Sequence, residues 1–558
     1  MIDEKAVPRW TPEEEKAYKK CCWKNLTVHE ALAKASKRYG ADRKILFSAD
    51  TGEAYSYGEL LEGSRRLAAS LLKLKVEPGY TALLQLNNTP LFLHVWLAFS
   101  RLRIPPLHVD TKFRLSEVKV WGETLKAEIY VIPGVFRGYS YYEMAKRLRR
   151  ELPSLRFIFE GCWKRRSEIP SVGELLEKEP EKDWMEAVEQ VKADPYKVSH
   201  FLLTGGTTGL PKIIARTHAD YLYGAEILAE ASRIGMETRA LIAPQLTHNA
   251  GFVYSLAVLL KGGRLYLTDR TDGEGLLERL EKFRITFMLG VPTLYYRILK
   301  CERLESFNLK HLQVVLSVGQ AMPPEMARRL EERLGARFQN LYGASEGFSL
   351  ITGLDNPPEV RFRAAGKPTS PYDRVRLVDP ETGREVQVGQ PGELQVKGPR
   401  VVKGYYGDPN RTRENFTEDG YYRSGDLLYR DQAGYFYFAG RLRDIINRGG
   451  LKVGAEEVEG YVTLHPGVKE AAAVGMPDPE LGERICVFIV PEEGVKPPSL
   501  EEIRRHMERL EVAKYKWPER LEIVDKLPKS MLGKIQRWKL KEQLKKGWDF
   551  KEVSLFPH

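Results

Sequence analysis

The 558-residue chain is 42% hydrophobic and 29% charged, enough apolar side chain to fill a large core and enough charge to cover it; at roughly 100 to 200 residues per domain it predicts several structural units. The net charge is +11, but 87 basic residues are interleaved with 76 acidic ones throughout, which weighs against a nucleic-acid partner and fits a site for ATP or other phosphorylated ligands. The longest strongly apolar run, 250–260, is too short for a bilayer, which needs about 20 residues, so no membrane partner is expected.

The chain opens with MIDEKAVPRW, where charges and a proline stand in place of the apolar core of a signal peptide. Its five cysteines, Cys21, Cys22, Cys162, Cys301 and Cys486, are odd in number and lack CxxC spacing. That argues against a disulfide framework or a zinc site and for a cytoplasmic protein. A helical pattern covers 28–39. From there to about 195, helix and strand patterns alternate: a helix start at 55–61, a helix over 64–74, a strand at 80–86, and a helix leading into a strand across 148–159. Such alternation predicts sheets covered by helices.

The stretch FLLTGGTTGLPKIIARTH, 201–218, sets three glycines, three threonines and a lysine within 204–212. Glycines let the backbone approach an anion, and N–H groups, hydroxyls and an ammonium can then surround phosphate oxygens. A Walker A loop would put lysine directly after glycine and open a helix. Here Leu210 and Pro211 intervene and Ile213 and Ile214 follow, which favours a strand. The segment reads as the tip of a strand-loop-strand unit; taken alone, an ordinary Gly/Thr-rich hairpin without ligand is its lesser alternative.

Beyond it, Thr217 can cap a helix over 218–232, and 286–291 reads as a strand. A strand at 313–318, a helix at 324–334 ended by Gly335 and a strand at 337–342 form one unit. Its strands run into GQA at 319–321 and GASEG at 343–347; ligands gather beyond strand C-termini in such units. Short strands with Gly, Pro and Asp turns fill 360–441. A compact α+β pattern follows from about 446: helix 455–464, strands 468–475 and 484–490, helix 499–510 and strand 519–524. The junction RLRDIINRGG, 441–450, is the candidate hinge.

Six motifs occur in one order: TGGTTGLPK (204–212), YGASEG (342–347), GELQVKGPRVVKGYY (392–406), YYRSGDL (421–427), GRLRDIINRGGLKV (440–453) and LPKSMLGKIQR (527–537). In these the chain resembles the adenylate-forming superfamily of acyl-CoA synthetases, peptide-synthetase adenylation domains and luciferases. RTHADY (216–221), AAGKPTSPYD (364–373), INRGGLKVGAEEVE (446–459), LGERICVFIVP (481–491) and AKYKWPER (513–520) narrow the resemblance to stand-alone aryl-acid enzymes of the 2,3-dihydroxybenzoate-AMP ligase type. The resemblance implies an α/β fold: a large N-terminal domain of helix-covered sheets with a β-rich subdomain, 1–441, for ATP and acid; a hinge, 442–445; and a small mobile α+β lid, 446–558, carrying the catalytic lysine.

The resemblance also implies a two-step reaction, in which a carboxylate attacks the α-phosphate of ATP to give an acyl-adenylate and pyrophosphate, and a thiol then takes the acyl group. Thr204, Gly205, Gly206, Thr207, Thr208, Gly209 and Lys212 would hold phosphates. Glu346 would bind Mg2+, and Ser345, where the superfamily usually has threonine, keeps a hydroxyl. Asp426 would take the ribose hydroxyls, with Arg441 near the ribose. Tyr342 would stack on adenine, with Asn340, Gly319 and Gly343 near the ring edge and Phe438 packed on the nucleoside. Lys534 matches the mobile catalytic lysine. Asp444 matches the hinge, and Gly449, Gly450 and Lys452 would face the thiol. The acid pocket would be formed by His248, Asn249, Gly319, Gln320 and Ala321. An extra residue before His248, a shorter stretch after Asn249 and Gln320 in place of glycine depart from the aryl-acid pattern. A benzoate-like, alicyclic or medium-chain acid therefore stays open beside dihydroxybenzoate. The acceptor is free CoA or the phosphopantetheine of a separate carrier protein. A non-catalytic sensor on the same fold would have no use for the mobile lysine.

Overall fold

The computed structural model describes residues 2–164, 167–204, 211–442, 444–448, 451–478, 481–510, 512–529 and 534–546. By backbone proximity these fall into two units: one holds the chain up to Val375 together with Val396–Arg423, the other Arg376–Gln395 together with the chain from Ser424 onward. The segment expected as a hinge, 442–445, lies inside the second unit.

The first unit is built on two sheets. In the nine-stranded one, Lys44–Ser48, Arg264–Leu267, Arg239–Ile242, Phe287–Gly290, Val314–Val318 and Arg337–Gly343 run parallel as neighbours, edged by antiparallel pieces. The six-stranded sheet places the antiparallel hairpin of Val198–Thr204 and Lys212–Thr217 at one edge of a parallel set. Strands of this kind are buried on both faces and read as continuous apolar runs; Ala240, Leu241 and Ile242 are fully buried. The predicted apolar run forms the helix Asn249–Leu260 inside this core. Among the described residues no helix is long and apolar enough to cross a membrane.

Local signals account for the elements they flank. Thr27 and Glu30 form a reciprocal capping box on helix Val28–Tyr39, whose Val28, Ala31, Leu32 and Ala35 are buried. Helix Pro324–Leu334 ends where Gly335 turns left-handed at φ 64°. The patterns at 55–61 and 64–74 join in one helix, Tyr57–Lys73, capped by Ser56 and Glu59. The second unit carries most of a four-stranded sheet, in which Tyr422–Arg430 and Phe436–Arg441 are antiparallel, and a five-stranded one in which Gly482–Pro491 pairs with Val468–Asp478 and, in parallel, with Arg520–Ile523. Cysteine spacing predicts no disulfide framework; the structure joins the sequence neighbours Cys21 and Cys22, a bridge that ties no separate segments together.

Candidate active site

The strand-loop-strand reading of the glycine-rich stretch holds. Cα pairing sets Lys212 opposite Thr204 at the loop end of the hairpin; Gly205, Gly206, Thr207, Thr208 and Gly209 lie outside the described residues. Four side chains then form one hydrogen-bonded line. Lys212 Nζ donates to the Tyr405 hydroxyl at 2.9 Å and lies 4.2 Å from its ring centroid. The Tyr405 hydroxyl donates to Glu346 Oε1 at 2.9 Å, and Thr204 Oγ1 donates to the same oxygen at 3.1 Å. Lys212 also reaches Asn415 Oδ1 at 3.3 Å. Burial, and then the Glu346 charge, drive the Tyr405 hydroxyl far above the usual phenol range, so it stays a donor.

Glu346 is buried in the loop that leaves strand Arg337–Gly343. The loop is held from beneath. Arg216, paired with buried Asp220 at 2.7 Å, donates to the Ser345 carbonyl at 3.4 Å, and Val402 N donates to the Glu346 carbonyl at 2.8 Å. Gly347 sits at φ 113°, where a Cβ would come within 1.7 Å of the Arg400 carbonyl oxygen. Only glycine fits there.

Strands Val314–Val318 and Arg337–Gly343 are parallel neighbours, with Val318 opposite Leu341. Gly319, Gln320 and Ala321, all exposed, therefore leave the sheet beside Tyr342 and Gly343. Asn340 is half-buried, its amide donating to the Ala364 carbonyl at 2.8 Å. Tyr342 is half-buried with its ring 5.8 Å from that of Phe348.

At the start of helix Asn249–Leu260, His248 is bound to Asp110, Nε2 to Oδ2 at 2.9 Å. Burial would raise the Asp110 carboxyl, but the hydrogen bond and charge of His248, helped by Lys112, hold it well below the usual carboxylate range. Asn249 Oδ1 accepts from the Tyr221 hydroxyl at 3.2 Å, which engages its oxygen and leaves the amide hydrogens to face other groups. Tyr405, lying in a quoted motif, could be found from sequence. Tyr221 closes the RTHADY segment, 216–221, whereas Asp110 carries no motif of its own.

In the second unit, Asp426 and Arg441 are cross-strand partners and an ion pair, Nε to Oδ1 at 3.2 Å. Phe438 lies in the same strand as Arg441, half-buried and opposite Leu428. Lys534 is half-buried. Lys452 lies in strand Leu451–Gly454 opposite Asn447, whereas Gly449 and Gly450 fall outside the described residues. Among the described residues no three His, Cys, Asp or Glu side chains come together to hold a metal. Mg2+ generally needs only one or two carboxylates beside the phosphates it bridges, so a single Glu346 at the hairpin fits it.

Residues 32–406 match the AMP-binding enzyme family, and residues 457–534 match the AMP-binding enzyme C-terminal domain. The chain belongs to the AMP-binding enzyme family. It is 34% identical to the 2,3-dihydroxybenzoate-AMP ligase of Bacillus subtilis (strain 168), over 97% of this chain and 98% of that one. It is also 34% identical to the 2-hydroxy-7-methoxy-5-methyl-1-naphthoate-CoA ligase of Streptomyces carzinostaticus, over 92% of each chain. Among solved structures it is similar to apo MbtA of Mycobacterium smegmatis, with a TM-score of 0.72 at 30% identity, covering 97% of this chain and 99% of that one. In this AMP-binding enzyme the line from Lys212 to Thr204 draws on the motifs at 204–212, 342–347 and 392–406, and the Asp426–Arg441 pair on those at 421–427 and 440–453.

Proposed function

We propose that the protein activates an aromatic carboxylic acid as its acyl-adenylate and passes the acyl group to a pantetheine thiol. The observation that carries this reading is the line Lys212, Tyr405, Glu346, Thr204 at the loop end of the hairpin. It gathers a cation, hydroxyl donors and one carboxylate where a triphosphate needs them. Family membership and relatives whose names give an AMP ligase and a CoA ligase support it.

In the first step a carboxylate oxygen bonds to the α-phosphorus while the bond to pyrophosphate breaks. Negative charge grows on the phosphoryl oxygens, and fixed cations and donors there lower the barrier. Lys212, Thr204 and the hairpin amides would hold the phosphates. Glu346 would hold Mg2+, whose part is to neutralise phosphate charge. Asp426 would accept from the ribose hydroxyls with Arg441 beside it, and Lys534 would join the carboxylate to the α-phosphate. In the second step the thiol sulfur attacks the carbonyl carbon and AMP leaves. A turn about 442–445 would withdraw Lys534 and bring Lys452 forward. His248 and Asn249 would contact the acid, which is aryl and 2,3-dihydroxybenzoate-like. The tied oxygen of Asn249 favours a second reading, a CoA ligase for a benzoate-like acid without a donor hydroxyl at that point. A cytoplasmic location belongs to the same reading.

Acid-dependent ATP–pyrophosphate exchange tests it. We expect exchange with at least one of 2,3-dihydroxybenzoate, salicylate and benzoate; none with any aryl, alicyclic or fatty acid contradicts the reading. Lys534→Ala should lower exchange by about 100-fold or more while thioester formation from a supplied acyl-adenylate persists. Equal loss of both steps contradicts its role.

A further inference from the structure

Three residues beyond Lys534, Arg537 opens the helix Arg537–Lys546 with its side chain only 8% exposed. Its guanidinium forks onto Glu459, Nε to Oε1 at 2.9 Å and Nη2 to Oε2 at 2.7 Å. Its remaining nitrogen, Nη1, donates to Asp444 Oδ2 at 2.6 Å. Glu459 in turn accepts from the Ala473 amide at 2.7 Å, which fastens the fork to strand Val468–Asp478. Glu456 lies 3.8 Å from Arg537 and 3.4 Å from Arg441, the partner of Asp426. Two arginines thus serve four carboxylates. Burial, with Glu456 alongside, pushes the Glu459 carboxyl up to about 7 against the pull of Arg537.

Such a cluster is a poor way to gain stability, because desolvating buried charges offsets most of their attraction and apolar side chains of similar volume serve as well or better. What a bidentate arginine supplies is fixed geometry. Here it spans the hinge residue and the body of the α+β unit, next to the lysine turn.

We propose that Arg537 is a positioning residue: by bonding Asp444 and Glu459 together it ties the placement of Lys534 to the state of the backbone at the hinge. A backbone change at Asp444 pulls directly on Arg537, which follows the lysine by three residues and opens the helix Arg537–Lys546. This rests on the reading of Lys534 as the adenylation lysine and of 442–445 as the hinge.

The full chain tests it through Arg537→Met, Arg537→Lys and, as reference, Lys534→Ala. Acid-dependent pyrophosphate exchange, thioester formation from supplied acyl-adenylate, and Tm are measured for each. We expect Arg537→Met to lose about tenfold or more in exchange, keep thioester formation within about twofold, and melt close to the parent. Should Arg537→Met fail to fold, Arg537→Lys, which keeps the charge and loses the fork, is expected to give the same split. Unchanged exchange overturns the proposal, as does an equal loss in both steps that tracks Tm. If Lys534→Ala itself exchanges normally, the reading of the lysine fails and the proposal fails with it; normal loss in Lys534→Ala with no split in the Arg537 variants condemns the proposal alone.

Discussion

The Tyr405 hydroxyl stands between a cation and a carboxylate and touches both. Removing it in Tyr405→Phe leaves the buried Glu346 with one donor fewer and takes one acceptor from Lys212, which keeps Asn415. Hydrogen bonds to charged groups contribute about 1.5 to 3 kcal/mol, so KM for ATP should rise roughly tenfold or more, with little change in KM for the acid. An unchanged KM for ATP would show that the line from Lys212 to Thr204 does not touch the nucleotide. At Gly347 the obstacle is backbone, not a flexible side chain. Gly347→Ala should therefore lower stability by about 3 kcal/mol or more, read as lost soluble yield and a lower Tm. Both residues were visible in sequence as letters of a motif. Their physical reasons were not, because Arg400, Arg216 and Thr204 reach them from distant parts of the chain. Asp110 went unread for the converse reason: a lone Asp in a loop after a strand has no pattern, and only the fold sets it against His248; Tyr221 lies in RTHADY, but only the fold sets it against Asn249.

Elements were legible where their signals are local. Helices Val28–Tyr39 and Pro324–Leu334 match their predicted limits because Thr27 and Gly335 act within one turn of what they end. The strand predicted at 80–86 shrinks to Ala82–Leu84, since a strand's length is set by the partners that pair with it rather than by its own residues. Helix His218–Ala231 offers a check on capping. Thr217 takes the Asp220 amide at 3.1 Å and donates to the Asp220 carboxylate at 3.0 Å, both buried. Thr217→Ala should cost about 1 to 2 kcal/mol in urea unfolding. A change under a few tenths would mean that Arg216 and the residue-217 backbone amide suffice to hold Asp220 in place.

Across the molecule, charge and burial set a pH response. His29, His94, His108, His200 and His218 are held neutral in the first unit, burial lowering each below the ordinary imidazole value; His94 falls to about 4, and His29, His108 and His218 to about 3. A base whose folded pKa is depressed contributes stability above its unfolded value near 6.5 and loses it as pH falls toward the folded value. Each histidine then removes up to about 1.4 kcal/mol per pH unit. Glu459 acts in the opposite sense over about 4.5 to 7 and Asp373 over about 3.8 to 6, and burial raises Asp220 and Asp269 as well, so these carboxyls offset part of what the five imidazoles remove. Tm should fall as pH drops from about 6.5 to 5, and a profile flat over that range would contradict the burial of these rings. The reaction class was legible because its motifs recur in order along the chain; the acid was not, because its pocket depends on single side chains around His248. The most direct measurement follows an oxygen atom. With the carboxylate of an accepted acid labelled with 18O and CoA or a pantetheine carrier supplied as thiol, attack on the α-phosphorus predicts one labelled oxygen in the AMP released and none in pyrophosphate. Label in pyrophosphate, or turnover that leaves AMP unlabelled, would contradict activation through an acyl-adenylate.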